Sequence, residues 1–285
     1  MTPIVIVHED YQDYLKSSIE ISGKNNKIYL IGNKSVEFLQ DHPSVTYVNI
    51  QKYLNSDKIT TFNENFVHYG DKDRRTYMFW FARMLIMYEF ARDYNLNSFF
   101  SCDSDNVVLK RVDDIPFEFK NAFTISKEWE PFHYAASVHS GLITLDFCDI
   151  YEGILFDFFL NKKKNDFFEE KITFHKSNPG AFCDMTIYYY MAKMNLLEVD
   201  NLLKPRKYLD KNFVFTQGFN SSEGLLSNTQ YRMKRKKLHI QKDNKINSNY
   251  ITNIDSREKE YLLNLHFQGK QKKLLNSKMV KWLNY

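Results

Sequence analysis

Two aspartates separated by a single residue, Asp103 and Asp105, have the spacing in this chain that most directly suggests chemistry. They follow residues 98–102 (SFFSC), a short run typical of a buried strand. Carboxylates at one strand end can direct their oxygens at a single hard cation, and Mg²⁺ and Mn²⁺ prefer oxygen ligands. The pair therefore predicts a metal site. The simpler alternative is that both carboxylates cap a turn in solvent.

The chain contains a second Asp-x-Asp pair, Asp71 and Asp73. It follows His-Tyr-Gly and has no apolar run before it, so no strand end is predicted there. Because the strand is what would aim the two carboxylates at one ion, we assign the predicted metal site to Asp103 and Asp105.

Short apolar runs alternate with helical patterns along the first half of the chain. Residues 3–7, 27–31 and 45–50 read as strands, and residues 77–91 as a helix that is apolar on nearly all sides. This alternation predicts the α/β class, with a doubly wound, mostly parallel sheet flanked by helices. Ligands of such sheets bind beyond the carboxyl ends of the strands, which places His8 near the expected pocket.

Arg83 lies inside the apolar helix, among large apolar neighbours such as Phe79 and Met87. A guanidinium buried there is costly unless an anion pairs with it. Glu89 lies six positions further along the helix, which does not bring it to the same face. The partner must therefore come from another element or from a ligand.

The strand followed by Asp103-Ser104-Asp105 resembles the acidic metal motif of the GT-A glycosyltransferases. The tail strengthens the resemblance, because residues 266–272 (HFQGKQK) match the His-x-x-Gly-x-x-Lys pattern of the glycogenin and lipopolysaccharide galactosyltransferase-like family. The resemblance implies a fold that binds nucleotide-diphospho sugars and a Mn²⁺ or Mg²⁺ cofactor. It implies that His266 is the third metal ligand, that Gly269 lets the backbone approach the diphosphate, and that Lys272 neutralises phosphate charge.

The same resemblance implies further roles around the donor. An arginine on the helix before the metal strand contacts the donor in that family, so Arg83, with Ser104 and His8, is assigned to donor binding; a structural ion pair of Arg83 is the alternative. Asp184, near the start of a helix predicted over residues 181–193, is assigned as general base or acceptor-positioning residue, with helix capping as the alternative. Two sets of residues are second choices: Glu128 and Glu130 for the base, and Arg74 and Arg75 for the diphosphate.

The chain of 285 residues suits a single catalytic domain over residues 1–285. Residues 219–260 predict a basic irregular arm, and residues 261–285 a tail that folds back over the donor site. The net charge of +4 is too small to indicate a nucleic-acid partner. The cluster at residues 232–237, beginning with Arg232, reads as a solvated loop face or as a peripheral contact with an anionic membrane.

The three cysteines show no metal-binding or disulfide spacing, and no signal peptide or membrane span is recognisable, so we expect a cytoplasmic protein. The expected function is metal-dependent transfer of a sugar from a nucleotide-diphosphate sugar to a hydroxyl of a glycan or glycolipid acceptor. Two alternatives are a sugar nucleotidyltransferase and a non-catalytic carbohydrate-binding protein that uses aromatics such as Trp129, Tyr188, Tyr189 and Tyr190.

Overall fold

A computed structural model describes residues 1–126, 128, 131–208, 210–216, 231–234 and 237–284. Its strands, numbered in chain order, are β1 (Ile4–His8), β2 (Ile28–Gly32), β3 (Val45–Asn49), β4 (Ser98–Cys102), β5 (Asn106–Val108), β6 (Asn121–Ile125), β7 (Ala136–Thr144), β8 (Val199–Asn201), β9 (Arg206–Tyr208), β10 (Lys211–Val214), β11 (Met233–Lys234), β12 (Lys237–Leu238), β13 (Gln241–Asp243), β14 (Ser248–Thr252), β15 (Lys259–Leu262) and β16 (Asn264–His266).

The helices in the same part of the chain are α1 (Asp13–Ser22), α2 (Gln51–Leu54), α3 (Asp57–Asn65), α4 (Arg74–Asp93), α5 (Leu145–Phe159), α6 (Asp166–His175), α7 (Asp184–Lys193) and α8 (Ser277–Asn284). Three 3₁₀ helices span Lys34–Asp41, Val112–Asp114 and Gly269–Leu274. No helix within the described residues combines the length and the apolar character that a bilayer crossing requires.

The central sheet has seven strands in the order β3-β2-β1-β4-β7-β6-β8. Strands β3, β2, β1 and β4 pair in parallel, whereas β7 pairs antiparallel with both β4 and β6, and β8 runs parallel to β6. Six of the seven strands therefore run in one direction and β7 opposes them. This confirms the predicted α/β class with a mixed, mostly parallel sheet.

Alternation along β1 separates two apolar layers. Val5 and Val7 belong to the cluster that includes α4, α5 and α7, whereas Ile4 and Ile6 belong to the cluster that includes α1. Helices thus cover both faces of the sheet, as expected for strands that are apolar on both sides. The 20-residue helix α4 is buried along most of its length, which agrees with its apolar sequence.

A second sheet of five strands has the order β13-β14-β15-β10-β9. The expectation of an irregular arm over residues 219–260 is therefore wrong for its described part, which contains β11 to β14 and part of β15. These strands are two to five residues long and are held by pairing with their neighbours, β11 with β12, β13 with β14, and β14 with β15, so they show little periodicity of their own. Residues 219–230, 235 and 236, including part of the basic cluster, lie outside the described residues.

The tail packs against the first helix. Leu262, Leu265 and Val280 share an apolar cluster with Tyr14 of α1 and Val107 of β5. Strand β16 forms a separate two-stranded ribbon with β5. This ribbon joins the end of the chain to the segment that follows β4, where the two candidate aspartates lie.

Candidate metal centre

The turn after β4 is fixed by hydrogen bonds of its backbone. The N–H of Asp103 donates to the carbonyl of His139 on β7 at 2.9 Å, and the N–H of Asn106 donates to the carbonyl of Asp103 at 3.0 Å. The turn connects β4 directly to β5, so Asp103 and Asp105 both lie at the carboxyl end of a central strand. The sequence predicted this placement from the buried run before the pair.

The β5–β16 ribbon brings the tail histidine to this turn. His266 pairs with Asn106 in the antiparallel register, and the N–H of Phe267 donates to the carbonyl of Asp105 at 2.8 Å. Asp103, Asp105 and His266 each offer one ligand atom, and these three atoms all lie within 4.8 Å of one another. Residues about 160 positions apart in sequence thus form one cluster of candidate metal ligands.

Asp105 is the buried member of the aspartate pair, with 6% of its surface exposed. Its Oδ1 lies 3.4 Å from Nε2 of His266, and its Oδ2 lies 3.1 Å from Nζ of Lys272. Burial alone would raise the pKa of this carboxyl, but the His266 imidazole and the Lys272 ammonium stabilise the charged form and lower the pKa to about 2. Asp105 is therefore a carboxylate across the physiological pH range.

This donor set fits a divalent cation such as Mn²⁺ or Mg²⁺. Carboxylate oxygens suit both ions, and a histidine nitrogen suits transition metals such as Mn²⁺ better than Mg²⁺. Lys272 contacts one oxygen of Asp105 in the structure, so a metal ion bound there would compete with this ammonium for the same carboxylate. If the contact with Asp105 were broken, the ammonium of Lys272 would be available to an anionic ligand.

Arg83 joins the cluster of candidate metal ligands to helix α7. Its Nη1 donates to Oδ1 of Asp103 at 2.6 Å, and its Nη2 lies 3.6 Å from Oδ2 of Asp184. Burial disfavours the guanidinium, but these two carboxylates outweigh it and raise its pKa. Arg83, which needed an anionic partner, thus pairs with two acidic residues from other elements. This arrangement corresponds to the structural ion pair that was the alternative to donor binding.

Asp184 is the first residue of α7, and 4% of its surface is exposed. The helix begins three residues later than the sequence predicted, because Cys183 in extended conformation takes the N-cap position and Thr186 completes the cap. Capping therefore falls to Cys183. Burial raises the pKa of Asp184 to about 6, and the positive charge of Arg83 opposes the rise. A carboxyl with a pKa near neutrality can accept a proton from a bound hydroxyl.

Three further residues assigned to donor binding lie around the same centre. The Ser104 hydroxyl is 3.2 Å from the hydroxyl of Tyr14 on α1. His8 ends β1, and burial followed by the charge of Lys272 lowers the pKa of its imidazole. Gly269 has a φ of +58°, a left-handed conformation that strains other residues, and a Cβ there would meet no atom within 4 Å. Their contacts with a donor remain predictions.

The rejected Asp-x-Asp pair has structural partners instead. Asp73 caps α4 by accepting the N–H of Thr76 at 2.9 Å, and Asp71 accepts the hydroxyl of Tyr77 at 2.8 Å. Both carboxylates accept hydrogen bonds from residues in the first turn of α4, so the pair stabilises the start of this helix.

The second-choice residues also have local partners. Arg74 donates to the carbonyls of Asn63 and Phe66, and Nη2 of Arg75 lies 3.2 Å from Oε1 of Glu9. Glu128 accepts the N–H of Phe132 within its own loop at 3.0 Å. Glu130 and Trp129 lie outside the described residues. Among the aromatics of the carbohydrate-binding alternative, Tyr188 is fully buried and Tyr189 and Tyr190 are half-buried.

Two buried residues of the centre were assigned no role from the sequence. The ring of His139 stacks on that of His266, with 4.6 Å between centroids, and burial followed by the nearby His266 holds the pKa of His139 well below its usual value. Asn264 is fully buried, donates to Oδ1 of Asn106 at 2.9 Å, and accepts the N–H of Thr216 at 2.6 Å. These contacts hold the tail in register with β5. In the sequence, the one signal for Asn264 is its position two residues before His266.

Comparisons with known proteins give a distant structural similarity. No protein-family model matches this chain, and no curated protein sequence matches it. Mouse xyloside xylosyltransferase 1 is similar at 10% identity and a TM-score of 0.49, over 70% of this chain and 84% of that one. The PaToxG glycosyltransferase has 11% identity and a TM-score of 0.42, over 68% of this chain and 69% of that one.

A third similar structure is a glycosyltransferase involved in glycosylation of the major capsid of PBCV-1, with 11% identity, a TM-score of 0.36, and coverage of 71% of this chain and 82% of that one. Both measures indicate remote similarity for all three proteins. The function proposed below therefore rests on the residues of the centre.

Proposed function

We propose that this protein is a metal-dependent glycosyltransferase of the GT-A type, which moves a sugar from a nucleotide-diphosphate sugar to a hydroxyl of a glycan acceptor. The observation that carries the proposal is the cluster of Asp103, Asp105 and His266, with ligand atoms within 4.8 Å of one another. Lys272, on the same carboxylate, adds a cation that a diphosphate can recruit. The tail pattern and the strand-end aspartates, recognised separately in the sequence, are adjacent in space.

The roles of the residues follow from the chemistry of the reaction. Cleavage of the bond between the anomeric carbon and the phosphate oxygen places negative charge on the departing diphosphate. A divalent cation held by Asp103, Asp105 and His266 would oppose that charge. Lys272 neutralises further charge, and Gly269 permits close approach of the backbone. Asp184 accepts the proton of the acceptor hydroxyl, and Arg83 holds Asp184 close to the metal ligands.

The two competing functions fit the centre less well. A sugar nucleotidyltransferase usually has a glycine-rich phosphate loop after its first strand, whereas β1 is followed here by Glu9-Asp10-Tyr11. A non-catalytic carbohydrate-binding protein needs neither three clustered metal ligands nor a buried acidic residue with a pKa near 6. Both features support an enzyme.

Hydrolysis of nucleotide sugars without an acceptor tests the proposal. A panel of nucleotide sugars should be incubated with the protein in Mn²⁺, in Mg²⁺ and after removal of metal by a chelator. We expect release of free sugar from at least one donor only when a divalent metal is present. Release of inorganic pyrophosphate from a nucleoside triphosphate and a sugar phosphate would indicate the nucleotidyltransferase instead. Sugar binding that ignores metal, with no hydrolysis, would indicate the binding protein.

A further inference from the structure

A cavity of about 510 Å³ lies at the far end of α1 from the metal centre. It is lined by residues at the end of α1, in the segment after β5, in the β13–β14 hairpin, in β15 and in helix α8. Ile21 lines it, whereas Tyr14 contacts Ser104 at the candidate metal centre, and the step of seven positions from Tyr14 to Ile21 spans about 10 Å of helix. Its volume falls within the range of roughly 300–1,000 Å³ that is usual for small-molecule sites.

The wall of this cavity is rich in cations. Lys24, Lys110 and Arg111 line it, and Asp114 is the single carboxylate among the described lining residues. Arg111 pairs with Asp113 at 3.2 Å, but no described carboxylate forms an ion pair with Lys24 or Lys110. Lys110 is half-buried and donates to the Ser248 hydroxyl at 2.5 Å. Burial, followed by the neighbouring charge of Lys211, lowers its pKa, so an anion in the cavity would relieve unfavourable charge.

The other lining groups suit a polyhydroxylated molecule. Asn249 is 8% exposed, and its Oδ1 has no hydrogen-bond partner among the described residues. An unpaired buried amide oxygen is costly and is satisfied by a hydroxyl donor. Leu109, Leu262 and Leu283 provide apolar surface on which the C–H groups of a sugar ring can lie.

We propose that this cavity is a second ligand site, separate from the metal centre, that binds a sugar carrying a phosphate group. Lys24 and Lys110 pair with the phosphate, and Oδ1 of Asn249 accepts a hydrogen bond from a sugar hydroxyl. The proposal does not depend on the glycosyltransferase assignment, since it uses none of the residues of the metal centre.

Isothermal titration of the full chain at low salt with glucose 6-phosphate, glucose and inorganic phosphate tests the site. Glucose 6-phosphate should bind more tightly than either of the other two probes, because only it engages both sets of groups. Lys110→Gln should weaken this binding about tenfold or more, since it removes a charge-assisted contact. Lys24→Gln should also weaken the binding of glucose 6-phosphate. Lys24 is exposed, so a folding defect is not expected in this variant.

Two control variants separate binding in this cavity from general attraction to surface charge and from binding at the metal centre. Lys34→Gln removes one exposed charge on the 3₁₀ helix Lys34–Asp41 and should leave binding unchanged. Lys272→Gln alters the metal centre and should also leave it unchanged. The proposal is overturned if glucose 6-phosphate does not bind, if Lys34→Gln weakens binding as much as Lys24→Gln does, or if Lys272→Gln abolishes it.

Discussion

Nη1 of Arg83 lies 2.6 Å from Oδ1 of Asp103, which joins the centre of helix α4 to the turn after β4. The same guanidinium lies 3.6 Å from Asp184, so one buried cation serves a candidate metal ligand and a candidate base. Charges that share a buried site influence each other's ionisation strongly. A change at Arg83 should therefore be detectable at Asp184.

Replacing Arg83 with Lys tests this coupling. A lysine keeps the charge but is a single point donor, and it cannot hold two carboxylates as the planar guanidinium does. Because Arg83 opposes the rise in the pKa of Asp184, a weaker contact should move that pKa upward from about 6. We expect kcat/KM to fall by roughly 10–100-fold and its acidic limb to shift to higher pH, as measured in a full pH profile. Arg75→Lys, at an exposed position, should leave the limb in place; an unshifted limb in Arg83→Lys would contradict the coupling.

Asp184→Asn should separate stability from activity. The pKa of Asp184 is raised from 3.8 to about 6, so between these values the folded state holds more protons than the unfolded state. Stability from this group is therefore present at low pH and is lost as pH rises through about 6. We expect Asp184→Asn to be more stable than the parent by about 1–3 kcal/mol at pH 7.5, and less so near pH 4, in urea unfolding.

The control for this prediction is Asp146→Asn, which removes an exposed carboxylate from the first turn of α5. The control should show no increase in the free energy of unfolding between pH 4 and pH 7.5 relative to the parent. If Asp184→Asn destabilised the protein equally at both pH values, the carboxylate of Asp184 would be a structural partner of Arg83 and not an ionisable group held against its preference. Transferase activity should be lost in Asp184→Asn and retained in the control.

The sequence predicted those parts of the centre that depend on local pattern. The buried run before Asp103 identified a strand end, and the apolar neighbours of Arg83 showed that it needed a partner. It could not identify that partner, because the contact with Asp184 depends on how α4 and α7 pack on the sheet. The stacking of His139 on His266 was not predictable for the same reason, since it depends on how the tail packs against β7.

The second sheet shows a different limit. Strands β13 and β14 are three and five residues long; β13 pairs with β14, β14 pairs with β15, and β15 pairs in turn with β10. Residues 241–252 are mostly polar and give no clear alternation, so local propensity favours a loop there. Tertiary pairing overrides that propensity, as it often does for short strands. The α/β class was predictable because strands such as β1 and β2 are buried on both faces and are apolar along most of their length.

The double variant Asp103→Asn and Asp105→Asn should abolish metal binding while the fold persists. Amides keep the shape of the carboxylates but lose the charge that attracts the cation. Binding of Mn²⁺ can be followed by electron paramagnetic resonance of the free ion, together with circular dichroism as a check on folding. Asp71→Asn is the matched control, since Asp71 also belongs to an Asp-x-Asp pair but accepts a hydrogen bond from Tyr77. Equal loss of Mn²⁺ in the control would mean that the wrong pair had been chosen.

The last prediction concerns His266 and Lys272, which contact the two oxygens of Asp105 at 3.4 and 3.1 Å. Because His266 is a candidate ligand, His266→Ala should weaken Mn²⁺ binding by about tenfold or more. Lys272 instead competes with the cation for Asp105 when no donor is bound. Lys272→Gln should therefore leave Mn²⁺ affinity unchanged or increase it, while turnover falls, since the lysine would stabilise charge that develops as the diphosphate leaves.

A loss of metal affinity in His266→Ala without a loss in Lys272→Gln is the decisive result, because a general loss of folding would lower the affinity of both. Mn²⁺ titrations without donor and single-turnover rates with donor measure the two properties separately. Lys270→Gln is the control, since it removes an exposed charge two residues from Lys272 in the same 3₁₀ helix. If Lys272→Gln weakened Mn²⁺ as much as His266→Ala did, Lys272 would support the metal centre structurally, and its assignment to the diphosphate would be wrong.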